Sequence, residues 1–173
     1  MSKAVDYTAD ERLRDGRRIE IRALKPDDKA GMLDAVSHIG AQSMRRRFFG
    51  AKRSFSEAEQ AFYLNVDFVN HVALVAVVDE GGRPTIVGGG RYVVVQRASA
   101  EVAFAVVDAF QGQGIGSTLL RHLIVIARDA GLKELIAEVL PENAAMLKVF
   151  EKSGLKTTTQ RAAGAVHVRM QIS

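Results

Sequence analysis

Three glycines within five residues, Gly112, Gly114 and Gly116, stand between an apolar segment and a long amphipathic one, and few backbones accommodate that arrangement. Upstream, Glu101-Val-Ala-Phe-Ala-Val-Val107 has the β-branched, apolar character of a strand. Downstream, Ile115 to Ala130 carries Leu119, Leu120, Leu123, Ile124 and Ala127 on one helical stripe, and Gly131 stands where a helix is closed by glycine. The segment Asp108-Ala-Phe-Gln111-Gly112-Gln113-Gly114-Ile115-Gly116-Ser117 is therefore a strand-to-helix loop. Glycines there let the chain turn tightly and bring its N–H groups close to a ligand. With the positive end of the following helix, those groups suit an anion such as a pyrophosphate.

Glycine spacing alone is a weak signal, and rival readings fail on particular residues. A P-loop needs a lysine after its last glycine, and Gly116 is followed directly by Ser117. A Rossmann site is approximated by Gly112-x-Gly114-x-x-Ser117, with Glu138 near the position of a ribose-binding acid. That fold wants its first glycine at the strand tip, whereas four residues (108–111) intervene here, and the preceding hundred or so residues build no βαβ half. A tight β–α turn without a ligand is the plain structural alternative.

The rest of the chain fills out a mixed sheet. Arg18 to Leu24 alternates like a strand, and Pro26-Asp27-Asp28 opens a helix with Met32, Leu33 and Val36 on its apolar face. Two short helical pieces are expected around 43–49 and 56–65, the second opened by a Ser56/Glu59 capping box. Val72 to Val78 reads as a buried strand, Asp79 to Pro84 as a turn, and Thr85 to Val95 as its antiparallel return. Gly88 to Gly90 suggests a bulge or a close approach within that return. After the loop and helix come a strand at Leu135–Val139, a helix capped by Asn143 and ended by Gly154, and strands near 156–160 and 165–172. The expected class is α+β: a mixed, mostly antiparallel sheet of about seven strands, flanked by helices, with a β-loop-α-β unit at its centre. Residues 1–17 are polar and expected to be a frayed segment ahead of one domain over 18–173.

Composition narrows the chemistry. The 173 residues include no cysteine, which removes disulfides, zinc–thiolate sites and Cys nucleophiles by arithmetic. The four histidines, His38, His71, His122 and His167, are scattered without metal-ligand spacing, so no metal is expected. A net charge of +4 is short of a nucleic-acid footprint, and no apolar run is long enough for a membrane span. The N-terminus lacks the apolar core of a signal peptide, so the expected address is cytoplasmic. The basic stretch Arg45-Arg-Arg-Phe-Phe-Gly-Ala-Lys52-Arg53 reads as a solvated helix face beside Phe48 and Phe49, or as a docking site for an acidic partner or a ligand phosphate.

Gln111-x-x-Gly114-x-Gly116 resembles the Gln/Arg-x-x-Gly-x-Gly/Ala signature of the GNAT superfamily of N-acetyltransferases. Ala100-Glu-Val-Ala-Phe104 is similar to the strand before that loop in the histone-acetyltransferase branch. Leu140-Pro-Glu-Asn143 through Phe150-Glu-Lys-Ser-Gly154 resembles the superfamily's later Asn-to-Tyr-Glu-Lys-x-Gly segment. The likeness covers about residues 18–172. It is greatest toward the catalytic domain of Pat-type bacterial protein lysine acetyltransferases, through Arg47-Phe-Phe-Gly50, Ala100–Ala103, Gln111–Gly116 and Glu138–Asn143.

The resemblance implies a GNAT fold and acetyl-CoA as cosubstrate. The backbone near Val106 and Val107 would bind pantetheine between splayed strands, and the N–H groups of Gly112, Gln113, Gly114, Ile115, Gly116 and Ser117 would hold the pyrophosphate, with Gln111 completing the motif. Asn143, Met146 and Phe150 would complete the cofactor site. Glu101 aligns with the branch's general-base glutamate. Many members place a thiolate-protonating Tyr where this chain has Phe150, so the leaving group lacks that acid here. The acceptor is a primary amine, either a protein lysine or a small molecule. A domain that binds acyl-CoA without turnover is the alternative from another class. A homodimer is compatible with the sequence.

Overall fold

The protein, described by a computed structural model over residues 3–40 and 57–173, is built around strands whose burial follows from their composition. β3 (His71–Glu80) is buried along its first eight residues, as its uninterrupted apolar run requires of a strand covered on both faces. It lies in an eight-stranded sheet ordered β1-β2-β3-β4-β5-β6-β8-β7. The other strands are β1 (Thr8–Arg12), β2 (Arg18–Ala23), β4 (Arg83–Gln96), β5 (Ser99–Val106), β6 (Glu134–Val139), β7 (Lys156–Ala162) and β8 (Ala165–Gln171). All neighbours are antiparallel except β5 and β6, which run parallel through the helical crossover between them.

Four helices flank the sheet among the described residues: α1 (Lys29–Ser37), α2 (Glu57–Leu64), α3 (Ile115–Asp129) and α4 (Ala144–Glu151). The stripe read on α3 is its buried face, with Leu119, Leu120, Leu123, Ile124 and Ala127 all in the core. Of the two features expected of the Gly88–Gly90 run, the close approach lies within it and the bulge falls one residue before it. The β3–β4 register shifts between Ala76 and Val77, leaving Val87 unpaired between Ile86 and Gly88. At Gly90 a Cβ would lie 2.7 Å from Cδ1 of Phe104, so glycine there makes room for a ring. The helix expected at 43–49, residues 45–53 of the basic stretch, Arg47-Phe-Phe-Gly50 and the cap at Ser56 lie outside the described residues.

The N-terminal segment corrects the sequence reading. Residues 1–17 were expected to fray, but Thr8–Arg12 pairs along its whole length with β2, which makes the sheet one strand larger than expected. β1 is a polar edge strand, held by ladder bonds and by side-chain pairs such as Arg18 to Asp10 at 2.7 Å. Short, charged edge strands resist pairing with other chains, and they lack the apolar alternation that marks a buried strand.

Candidate functional site

The site begins where two parallel strands part. β5 and β6 pair only at Ser99–Glu134, Ala100–Leu135 and Glu101–Ile136. Beyond Glu101 they diverge and enclose a cleft of about 570 Å³, lined by Val102–Val106 on one side and Ala137–Val139 on the other. The glycine loop and the first turn of α3 close one end, and α4 forms a wall through Asn143, Met146, Val149 and Phe150.

Strand geometry sorts the backbone donors by parity. Val107 N–H donates to Val87 C=O at 2.9 Å, which ties it to the neighbouring strand. Alternate residues of a strand point their amides to opposite edges, so Val106 directs its N–H and C=O into the splay. The Gln111 side chain donates to that Val106 carbonyl at 3.3 Å. Val106 thus borders the cleft, and Val107 does not: its amide is consumed by the sheet and its buried side chain lines the face beneath α1.

Gly112 and Gly114 adopt φ values of +81° and +87°, a left-handed backbone open to glycine at little cost. Gly114 is the N-cap of α3 and has no side chain to cap it, so among the described residues the first-turn N–H groups have no intrahelical or capping partner. At Gly116 the nearest atom to an added Cβ would be Val149 Cγ2, 3.9 Å away. That is ordinary contact, whereas an added Cβ at Gly112 would meet nothing within 4 Å, so no side chain is crowded against the loop where it borders the cleft. Gln111, Gly112, Gly114, Ile115, Gly116 and Ser117 all line the cleft. Gln113 does not; its side chain and carbonyl turn outward to the β1–β2 turn.

On α4, the Asn143 side chain accepts from Met146 N–H at 3.2 Å, the capping role read from the sequence, while the residue also borders the cleft. Phe150 is 2% exposed and packs at a tilt on Phe104, with ring centroids 6.1 Å apart. Glu101 is exposed at the point of the splay and borders the cleft. By the same parity it projects with Ala103 and Ala105 toward the face covered by α1 and α2. On that face lies a smaller apolar slot of about 100 Å³, and it meets the cleft at Ile39, Ala103 and Ala105.

His71 and His122 both take structural positions. His71 Nε2 lies 2.8 Å from Arg91 Nη1, and burial, aided by that guanidinium, pushes its pKa down to about 4. The ring is thus a neutral acceptor at pH 7. His122 bridges Tyr7, at 2.5 Å, and Glu11, at 2.8 Å, and so joins α3 to the N-terminal strand.

Sequence reasoning missed three cations at the cleft: Arg14, Lys148 and Lys152. The two lysines were findable, since their i, i+4 spacing shares a helix face with Ala145 and Val149. Arg14 was not, because it belongs to the segment read as frayed.

The sequence model of the Acetyltransferase (GNAT) family matches residues 41–155. An acetyltransferase of Pseudomonas aeruginosa is 31% identical over 137 residues, covering 79% of this chain and 74% of that protein. Acetyltransferase Pat of Mycolicibacterium smegmatis is 32% identical over 144 residues, and this chain spans 82% of its own length but 42% of that relative's. The crystal structure of the GNAT domain of S. lividans PAT superposes with a TM-score of 0.87 at 32% identity, covering 95% of this chain and 96% of that one. With the family pattern running through the glycine loop and the whole sheet matching a solved member, this chain belongs to the GNAT acetyltransferases.

Proposed function

We propose that the protein transfers the acetyl group of acetyl-CoA to the side-chain amine of a protein lysine, by direct attack within a ternary complex. The observation that carries this reading is the position of Glu101, which borders the cleft at the fork of β5 and β6, two residues before Ala103, where the cleft meets the apolar slot. The cleft's residues fit acetyl-CoA: the first-turn N–H groups of α3 beside the cleft for the diphosphate, and the inward amide of Val106 for the pantetheine. The slot, about 100 Å³ and lined mainly by apolar side chains, suits a narrow alkyl chain ending in an amine.

A lysine amine with a pKa near 10.4 must lose a proton before it can attack, at a cost of roughly 4.6 kcal/mol at pH 7. Glu101 accepts that proton directly or through water. Phe150 donates none, so CoA leaves as the thiolate, tolerable for a thiol of pKa near 8.5. The same Phe150 favours a second reading, an acyl-CoA-binding domain without turnover.

Acetyl transfer from radiolabelled acetyl-CoA to lysine peptides, proteins and small amines separates the two. With an acceptor found, Glu101→Gln should lower turnover roughly 10²–10⁴-fold, the usual worth of a positioned base, with acetyl-CoA affinity unchanged. The defect should shrink as pH rises, because more of the acceptor is then already neutral. Normal turnover in Glu101→Gln at neutral pH removes Glu101 from the mechanism. Binding of acetyl-CoA without transfer to any acceptor favours the second reading.

A further inference from the structure

A loop that presents its N–H groups to an anion must turn its carbonyls away, and those carbonyls need donors of their own. Among the described residues, the donors to the carbonyls of Gly112 and Gln113 come from one place. Gly112 C=O accepts from Arg14 Nη1 at 3.0 Å, and Gln113 C=O accepts from Arg14 N–H at 3.3 Å. The Gln113 side-chain oxygen accepts from Asp15 N–H, also at 3.3 Å. Arg14 and Asp15 stand at the tip of the β1–β2 hairpin, 98 positions from Gly112 and Gln113 respectively.

The hairpin tip is itself fixed. Leu13 N–H donates to Arg17 C=O at 2.8 Å, Leu13 is buried, and the Arg17 guanidinium lies 5.0 Å over the ring of Phe110. Its base is tied to α3 through Glu11, which accepts from Arg121 at 2.7 Å. Arg14 is thus held at the loop by contacts that do not involve a ligand. Its Nε lies 3.7 Å from where a Cβ of Gly114 would stand, and the residue borders the cleft. A guanidinium has five N–H donors, and one is spent on Gly112.

We propose that Arg14 is a positioning residue of the acyl-CoA site: it fixes the loop carbonyls outward, so that the amides face the diphosphate, and it adds a positive charge beside them. This rests on the acetyl-CoA reading above, which located the site but not this residue.

Calorimetric titration compares wild type, Arg14→Gln and Arg14→Lys, each checked for an unchanged melting profile of the hairpin and core. Arg14→Gln should weaken acetyl-CoA binding roughly 10- to 100-fold, the range of a lost charge-assisted hydrogen bond, and Arg14→Lys should recover part of it. S-acetyl-pantetheine, which lacks the phosphates, should show the same KM in all three proteins. With acetyl-CoA saturating, kcat should be unchanged. In the ligand-free variant, amide exchange across Gly112–Gly116 should quicken. Acetyl-dephospho-CoA should suffer the same loss as acetyl-CoA; a loss that vanishes with it would overturn the diphosphate assignment in favour of the 3′-phosphate. Equal loss with acetyl-pantetheine would mean general damage to the fold and overturn the proposal. Affinity within twofold of wild type in Arg14→Gln also overturns it, while leaving the acetyl-CoA reading intact. Wild type that binds no acetyl-CoA removes both.

Discussion

Gly90→Ala tests whether the floor of the cleft is set by a close approach in the sheet behind it. A Cβ at position 90 would stand 2.7 Å from Cδ1 and 2.9 Å from Cε1 of Phe104, and 3.3 Å from Leu119 Cβ. Ordinary contact begins near 3.4 Å, so the ring must retreat by roughly 0.7 Å in a close-packed interior. It has little room to do so: Phe104 is 5% exposed and lies against Phe150, which is 2% exposed and walls the cleft. Overpacking of this kind costs about 1–3 kcal/mol. Against it stands a gain of about 0.4–1 kcal/mol from the stiffer unfolded chain, since Gly90 has a backbone that alanine can adopt. The balance is a loss of about 1–2 kcal/mol, or about 2–8 °C in melting temperature for a domain of this size. Acetyl-CoA affinity should fall with it, because Phe104 lines the cleft and lies against Phe150 of its wall. Differential scanning calorimetry of Gly90→Ala, Phe104→Leu and the double mutant checks the argument. If the ring is the obstacle, Gly90→Ala should be neutral or stabilising in the Phe104→Leu background, a coupling of about 1–3 kcal/mol. A raised melting temperature in the single mutant, or additive effects in the double, would refute it.

Two further outcomes follow from the side chains around the cleft. Phe150→Ala should cost about 3–5 kcal/mol and weaken acetyl-CoA binding, whereas Phe150→Tyr should keep both and raise turnover if thiolate departure is slow; melting curves and steady-state rates check this. His71 has a folded-state pKa of about 4, below its ordinary value of 6.5, so the unfolded chain binds the extra proton. Its contribution to stability is then fully present above pH 6.5 and is lost as pH falls from 6.5 toward 4. His71→Gln should flatten that acid limb relative to wild type in urea titrations at pH 7 and pH 5, with Arg91 and Asp67 the charged neighbours left in place.

The reading at Gly112–Ser117 needed only neighbours in the chain. A strand, a left-handed glycine turn and an amphipathic helix are local conformations, and their periods of 2 and 3.6 are written into adjacent residues. That is why α3 buries the stripe read from its leucines, and why β3 is covered on both faces as its apolar run implied. Asn143 as a cap and Gly88–Gly90 as a place of close approach were legible for the same reason. Tertiary structure decided what depends on register and on contacts between distant segments. A shift of one residue along β5 exchanges an amide aimed at β4 for one aimed into the splay, so Val106 and Val107, indistinguishable as sequence, part company. β1 carries no apolar alternation, because an edge strand is held by backbone bonds and surface ion pairs rather than by burial. Only its pairing with β2 brings Arg14 onto the carbonyls of Gly112 and Gln113, a contact between segments whose own residues give no sign of each other.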